Sequence, residues 1–314
     1  MSVNRVYLPY IAAFGFAGIF GLSFLFSRNV LQWVSPLQLL AFRFAIAVVF
    51  MQVLQVLGLI RVNLEKGSLK PLLLLGILQP VLYFICETVG IQLTSASEAG
   101  MMIALIPIFT IIAARFFLRE IPSPAQVIAI VLSVSGVMLI GVMQATQGLG
   151  SDFWGLLILL GAPVVAAGFT VLSRYLSTRY KALEMTYVMM HVGLAVFLPL
   201  SLLQALVQGT MTDYLVPLTN YSVLIGIFYL GVFSSGIAFF LMNYALALLT
   251  AAQVSAFPSL TTLIAVGASV IFLRETLYWY QITGGILIIV GVWGANHFQL
   301  KRAQLAPPIA PKIE

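Results

Sequence analysis

Apolar runs of about twenty residues, separated by short polar connectors, recur along the whole chain. A helix needs roughly 20 mostly apolar residues to cross the hydrocarbon of a bilayer. The runs at about 6–26, 37–58, 71–91, 98–118, 124–143, 153–175, 184–207, 219–242, 252–273 and 279–299 meet that requirement. Helix breakers mark the connectors: Ser35-Pro36, Lys70-Pro71, Pro122-Ser123-Pro124 and Gln147-Gly148-Leu149-Gly150. The pattern predicts an all-α integral membrane protein with ten transmembrane helices and no soluble domain. Residues 301–314, with Ala306-Pro307-Pro308, are expected to form a disordered cytoplasmic tail.

Composition strengthens this picture. Of 314 residues, 61% are hydrophobic and 8% charged, where a soluble domain carries about a quarter charged. The net charge of +6 does not imply a nucleic-acid partner, because the basic residues sit in short connectors, as topology signals do. With the N-terminus inside, twelve Lys and Arg fall on the cytoplasmic side and only Arg28 and Arg274 on the other, Arg43 lying within the second run. The expectation is a multi-pass protein of the cell membrane with both termini cytoplasmic. The first helix has no short apolar region with a small-residue cleavage site and is expected to be retained. The lone cysteine, Cys86, lies in an apolar run and cannot form an intramolecular disulfide.

A tetrapeptide, FLRE, occurs at 117–120 and again at 272–275, an offset of 155. The same offset pairs Leu75-Gly76 with Leu230-Gly231, Phe84 with Phe239, Gln126 with Gln281, and Gly136-Val137 with Gly291-Val292. The first and sixth runs align at another offset, which pairs Ser27-Arg28 with Ser173-Arg174. The chain therefore divides into a first repeat, 1–145, and a second, 150–300. Five helices per repeat is an odd number, so the second copy starts on the opposite side of the membrane and the repeats are inverted. Inverted repeats are the build of many secondary transporters, with the substrate near the midplane between the halves. Glu120 and Glu275 then fall on opposite faces, roughly 30 Å apart, and are expected to end and anchor equivalent helices rather than share a site.

The stretches LTSASEAGMMIALIPIFTIIAARFFLRE (93–120) and ALLTAAQVSAFPSLTTLIAVGASVIFLRE (247–275) each lead from small and hydroxyl residues into a helix with proline that ends in glutamate. Together with GAPVVAAGFTVLSRYLS (161–177) and LQLLAFRFAIA (37–47), they resemble the EamA-like transporters of the drug/metabolite transporter superfamily. The resemblance covers nearly the whole chain and implies ten helices in two halves and transport of a metabolite, without naming the cargo. Two departures stand out. Phe20-Gly21 replaces the usual Trp-Gly, and Pro258 lies about one turn further from its glutamate than Pro107 does.

Ionisable groups within a membrane are expensive and face the protein interior, so each is a functional candidate. Arg43 lies roughly 9 Å below the outer end of its run and Glu87 roughly 6 Å below its own, at 1.5 Å per residue. Two readings stand: a structural Arg43–Glu87 ion pair, or a titrating Glu87 that couples protons to transport. Gln79, Tyr83 and Glu87 recur every four residues, hence on one helical face. Such a stripe does not suit lipid and is expected to line a central cavity, with interhelical bonding as the plainer alternative. The equivalents Ser234, Ala238 and Met242 do not repeat it. Ser23, His191, Tyr244, Asn243 and Phe257 complete the candidate substrate-binding set. Ser27 shares the face of Ser23, and Glu184 and Tyr187 share that of His191. A lone helical histidine is commonly a packing residue, and Glu98 and Gln253 are candidates for helix caps or a vestibule. Pro107 and Pro258 are expected to bend their helices. The glycines of runs five and ten, Gly136, Gly141, Gly284, Gly285, Gly291 and Gly294, mark scaffold packing. Trp33, Trp154 and Trp279 are expected as interfacial anchors.

The expected function is secondary active transport of a small organic metabolite, an amino acid or related compound, outward and with proton coupling. Organic cations such as quaternary amines are the alternative cargo, and a channel or a membrane-embedded enzyme the alternative classes. An enzyme lacks support, since the chain has two His, one Cys and neither HExxH nor GxSxG. No phosphate-binding loop points to ATP drive, and no cofactor or metal site is expected. The expected partners are the small-molecule substrate and membrane lipid, with the protein a monomer or homodimer.

Overall fold

A computed structural model describes residues 4–64, 69–118, 123–147, 153–249, 254 and 257–305. Every regular element among them is helical: α1 (Asn4–Val30), α2 (Pro36–Val56), α3 (Lys70–Leu93), α4 (Ala96–Ile103), α5 (Ile106–Leu118), α6 (Pro124–Gln147), α7 (Phe153–Leu176), α8 (Ala182–Val207), α9 (Tyr221–Leu248), α10 (Pro258–Phe272) and α11 (Trp279–Leu305). Among the described residues six helices, α1, α2, α3, α7, α8 and α9, are long and apolar enough to cross a membrane. The remaining apolar runs hold the shorter stretches Ala96–Thr110, Val127–Ile140, Pro258–Phe272 and Trp279–Gly294.

The departures from one helix per run have local causes. The fourth run breaks at Ala104-Leu105, just before Pro107, into α4 and α5. Pro258 opens α10 at its first position, where the missing N–H costs nothing. Instead of bending the ninth helix it begins one. In α3, Gln79 leaves helical geometry (φ −142°, ψ 114°), as a residue before proline tends to, because the ring of Pro80 disfavours the α region there. A π-helical stretch, Ile77–Leu82, surrounds this break, and α9 carries one at Tyr229–Ala238. Near the end of the chain, α11 runs to Leu305, past the point where a disordered tail was expected. Arg119, Glu120, Gln253 and residues 306–314 lie outside the described residues.

Small residues set the helix contacts. A Cβ on Gly136 would lie 2.5 Å from the carbonyl oxygen of Gly284, and one on Gly284 would lie 2.7 Å from that of Gly136. Thus α6 and α11 meet backbone to backbone, and Ser133 Oγ donates to the carbonyl of Ile288 at 3.0 Å. Gly76 packs on Val192 and Gly231 on Ile46, tying α3 to α8 and α9 to α2. Arg28 Nη1 donates to the carbonyls of Ile91 (2.7 Å) and Gln92 (3.1 Å), capping the end of α3. Arg174 Nη1 does the same for Leu246 and Ala247, both at 2.8 Å, at the end of α9. These are orphan helix-terminal carbonyls that need partners. Trp33, Trp154 and Trp279 are all exposed.

Candidate functional site

A cavity lies among α1, α3, α4, α5, α7, α9 and α10. It is narrow, with a volume of about 40 Å³. Four sequence candidates, Ser23, Gln79, Tyr83 and Glu87, line it. The backbone break at Gln79 does not take the amide off the stripe. The Tyr83 hydroxyl donates to Glu87 Oε1 at 3.0 Å, and Glu87 is 3% exposed. Gln79 Oε1 is buried without a hydrogen-bond partner. An orphaned buried acceptor of this kind is costly and suits a ligand that brings a donor. Ser23 donates to the Phe20 carbonyl. Phe16, Phe20, Phe24 and Phe84 supply aromatic walls, and Pro258 and Thr261 close the α10 side.

Arg43 is fully buried, and of the two readings of Arg43 and Glu87 the hydrogen bonds do not bear out the structural ion pair. Its Nε donates to Ser235 Oγ and its Nη2 to Ser234 Oγ, each at 2.7 Å. Its guanidinium lies 4.0 Å from the centroid of the Phe84 ring, a cation–π contact. Phe84 lines the cavity, so the arginine sits against a wall residue rather than in the lining. Its Nη1 has no partner. Hydrogen bonds take Arg43 to α9 and leave Glu87 to Tyr83. The reason is geometric: the π-helical stretch of α9 brings two serines to α2.

The other candidates fall elsewhere. Asn243 is a fully buried tie, accepting from Ser173 Oγ at 2.8 Å and donating to Thr186 Oγ1 at 2.9 Å. Tyr244 packs its ring on Phe240. Phe257 meets Phe14 and Phe16 beside the cavity, its neighbour Pro258 forming the lining. His191 stacks on Tyr187 and joins Gln52 of α2, Nε2 to Nε2 at 3.2 Å, away from the cavity. Glu184 caps α8 through the Lys181 amide. Glu98 completes a capping box at α4 and accepts from Gln281 at 2.7 Å.

The sequence reading missed the phenylalanine walls, which are indistinguishable from core residues on an apolar helix. It also missed Ser234 and Ser235 as partners of Arg43, although Ser234 is the 155-residue equivalent of Gln79. Among the described residues no three His, Cys, Asp or Glu side chains gather as a metal site would require.

Comparison with known proteins places the chain. A model of the EamA-like transporter family matches twice, at residues 8–142 and 153–296. An uncharacterized transporter of Bacillus subtilis, YcxC, is 36% identical over 287 residues, 91% of this chain and 92% of that protein. A probable terminal-alkyne amino-acid exporter of Streptantibioticus cattleyicolor is 31% identical over 67% of each chain. A protein of known crystal structure shares the fold, with a TM-score of 0.63 at 20% identity over 95% of this chain and 99% of that one. The protein is a membrane transporter and not an enzyme, and the chain belongs to the EamA-like transporter family.

Proposed function

We propose that the protein is a secondary active transporter that exports a small organic metabolite, an amino acid or a related amine. It works by alternating access of two inverted five-helix halves, residues 1–145 and 150–300, around the central cavity. The observation that carries this reading is the buried stripe of Gln79, Tyr83 and Glu87 on a cavity to which residues of both repeats contribute. Its free acceptor on Gln79 and its carboxylate suit the N–H donors of a protonated amine, and the aromatic walls suit an apolar substituent. The amino-acid exporter among the relatives supports the cargo class. The double match of the family model, the matched arginine caps and the paired contacts Gly76–Val192 and Gly231–Ile46 support the two-repeat reading.

Export requires an energy source, and Glu87 is the carboxyl group of the cavity lining. Its protonation and deprotonation on alternate sides couples the cycle to a proton gradient. Both termini face the cytoplasm, following the bias of Lys and Arg. Counterflow of labelled amino acids in liposomes tests the reading, saturable exchange being the expected outcome. Exchange of quaternary amines without any amino acid would favour the second cargo, for which the aromatic walls beside a carboxylate speak. Ion currents above about a million charges per second would overturn carrier transport altogether, since carriers turn over on the slower conformational timescale.

A further inference from the structure

Between α8 and α9 the chain forms a roof, residues 208–220, with short 3-10 helices at Met211–Asp213 and Val216–Thr219. Tyr214 pins it down. Its hydroxyl shares a hydrogen bond with Ser201 of α8 (2.7 Å), its carbonyl accepts from Gln38 of α2 (2.7 Å), and its ring meets Phe42 edge-on. Burial pushes the Tyr214 phenol above its ordinary value, so it stays neutral.

Tyr214 divides two spaces. On one side is a groove of about 600 Å³ lined almost wholly by hydrocarbon, including Phe42, Ile46, Leu198, Leu218, Ile225 and Phe228. Apart from Leu218, which belongs to the roof, these residues lie roughly 5–15 Å below the ends of α2, α8 and α9, at 1.5 Å per residue, which is the depth of acyl chains. On the other side is a polar vestibule of about 510 Å³ with Gln38, Gln204, Gln208 and Ser201. Asp213 carries the one charge among its lining residues. The groove thus ends at the roof, whose outer face carries the exposed Asp213, so apolar and acidic surfaces adjoin there.

We infer that this groove seats one acyl chain of a zwitterionic phospholipid from the leaflet on that side, with the headgroup amine over the roof, toward the exposed Asp213. A second copy of the protein fits less well, because a protein face flat enough to fill the groove would also bury the polar vestibule. An anionic lipid would meet Asp213 with no Lys or Arg in the lining to balance it. The groove also adjoins the contact between α2 and α9. Phe42 and Ile46 flank Arg43 on α2, and Ile46 is the residue against which Gly231 of α9 packs. The bound chain thereby braces the helix pair that holds Arg43 on Ser234 and Ser235.

The test uses the full chain released from vesicles of equal phosphatidylethanolamine and phosphatidylglycerol, followed by native mass spectrometry. One retained phospholipid is expected, enriched in phosphatidylethanolamine. Ile225→Trp and Leu218→Trp fill the groove and are expected to lose it, while Val49→Trp on the exposed face of α2 retains it. Asp213→Asn is expected to keep the lipid and reduce the headgroup preference about threefold, the weight of one exposed charge pair. On the unmodified chain, phosphatidylethanolamine with a photoreactive acyl chain is expected to label peptides from 215–228 and not the exposed face of α6. This keeps the inference testable should the tryptophan variants misfold. Retention unaffected by both fillings, equal retention of the two lipids, or labelling spread evenly over the helices would overturn it. So would a dimer that Ile225→Trp converts to monomer, which would assign the groove to a second copy.

Discussion

Ser97 and Glu275 are 178 residues apart in the chain, and the Ser97 hydroxyl donates to Glu275 Oε2 at 2.6 Å. The same carboxylate accepts the amides of Ala96 and Ser97, each at 3.2 Å. Three donors at the start of α4 are thus satisfied by the glutamate that follows α10. A carboxylate at a helix N-terminus also meets the favourable end of the helix dipole. The glutamate of the second FLRE motif thus ties the segment after α10 to the start of α4, where Gln281 also bonds Glu98.

Breaking this tie should open the side on which it lies. Glu275→Gln weakens three charge-assisted bonds, and Glu275→Ala removes them. In a Cys86→Ala background, a cysteine at Ser23 in the cavity lining is expected to react faster with a membrane-impermeant thiol reagent from that side in both variants. Unchanged labelling in Glu275→Ala would show that the contact is only a cap.

Glu87→Gln preserves the shape of the cavity and the bond from Tyr83. Substrate counterflow, which needs no proton movement, is expected to persist, while accumulation driven by a pH gradient is lost. If a pH gradient still drives transport at the wild-type rate, Glu87 is not the coupling residue.

Ser234→Ala with Ser235→Ala removes both recorded hydrogen-bond acceptors of a fully buried guanidinium. Stranding a buried charge costs about 3–5 kcal/mol, so the double variant should melt well below the parent. Arg43→Met in the same background is expected to recover much of the loss. A double variant as stable as the parent would mean that Arg43 finds other partners.

Gly136→Ala and Gly284→Ala each place a methyl on the partner's carbonyl oxygen. Overpacking of this kind costs about 1–3 kcal/mol. Gly267→Ala, where the added carbon meets nothing within 4 Å, is the control. Equal melting temperatures for all three would remove the close approach of α6 and α11 from the account of stability.

Apolar run length made the helices legible, and regular spacing made the cavity stripe legible, because lipid offers no partner to a polar side chain. The partner of Arg43 was not legible. Depth alone matched it to Glu87, but the π-helical turn of α9 that turns Ser234 and Ser235 toward α2 has no signature in an apolar run. His191 was misplaced for a related reason: helical periodicity identifies a face without saying which neighbour that face meets. The FLRE glutamate was read as an anchor, and its grip on Ala96 and Ser97 needed the fold.

The contact between α6 and α11 has a property beyond its tightness. Adding 155 to Ala129 and Gly136 gives Gly284 and Gly291. Gly136 faces Gly284, and a Cβ on Gly291 would lie 2.6 Å from the carbonyl oxygen of Ala129. Exchanging the halves turns one contact into the other, the signature of an isologous surface. Such a surface recognises its own likeness without a covalent connection. Segments divided near residue 150 should therefore reassemble when expressed as two separate polypeptides.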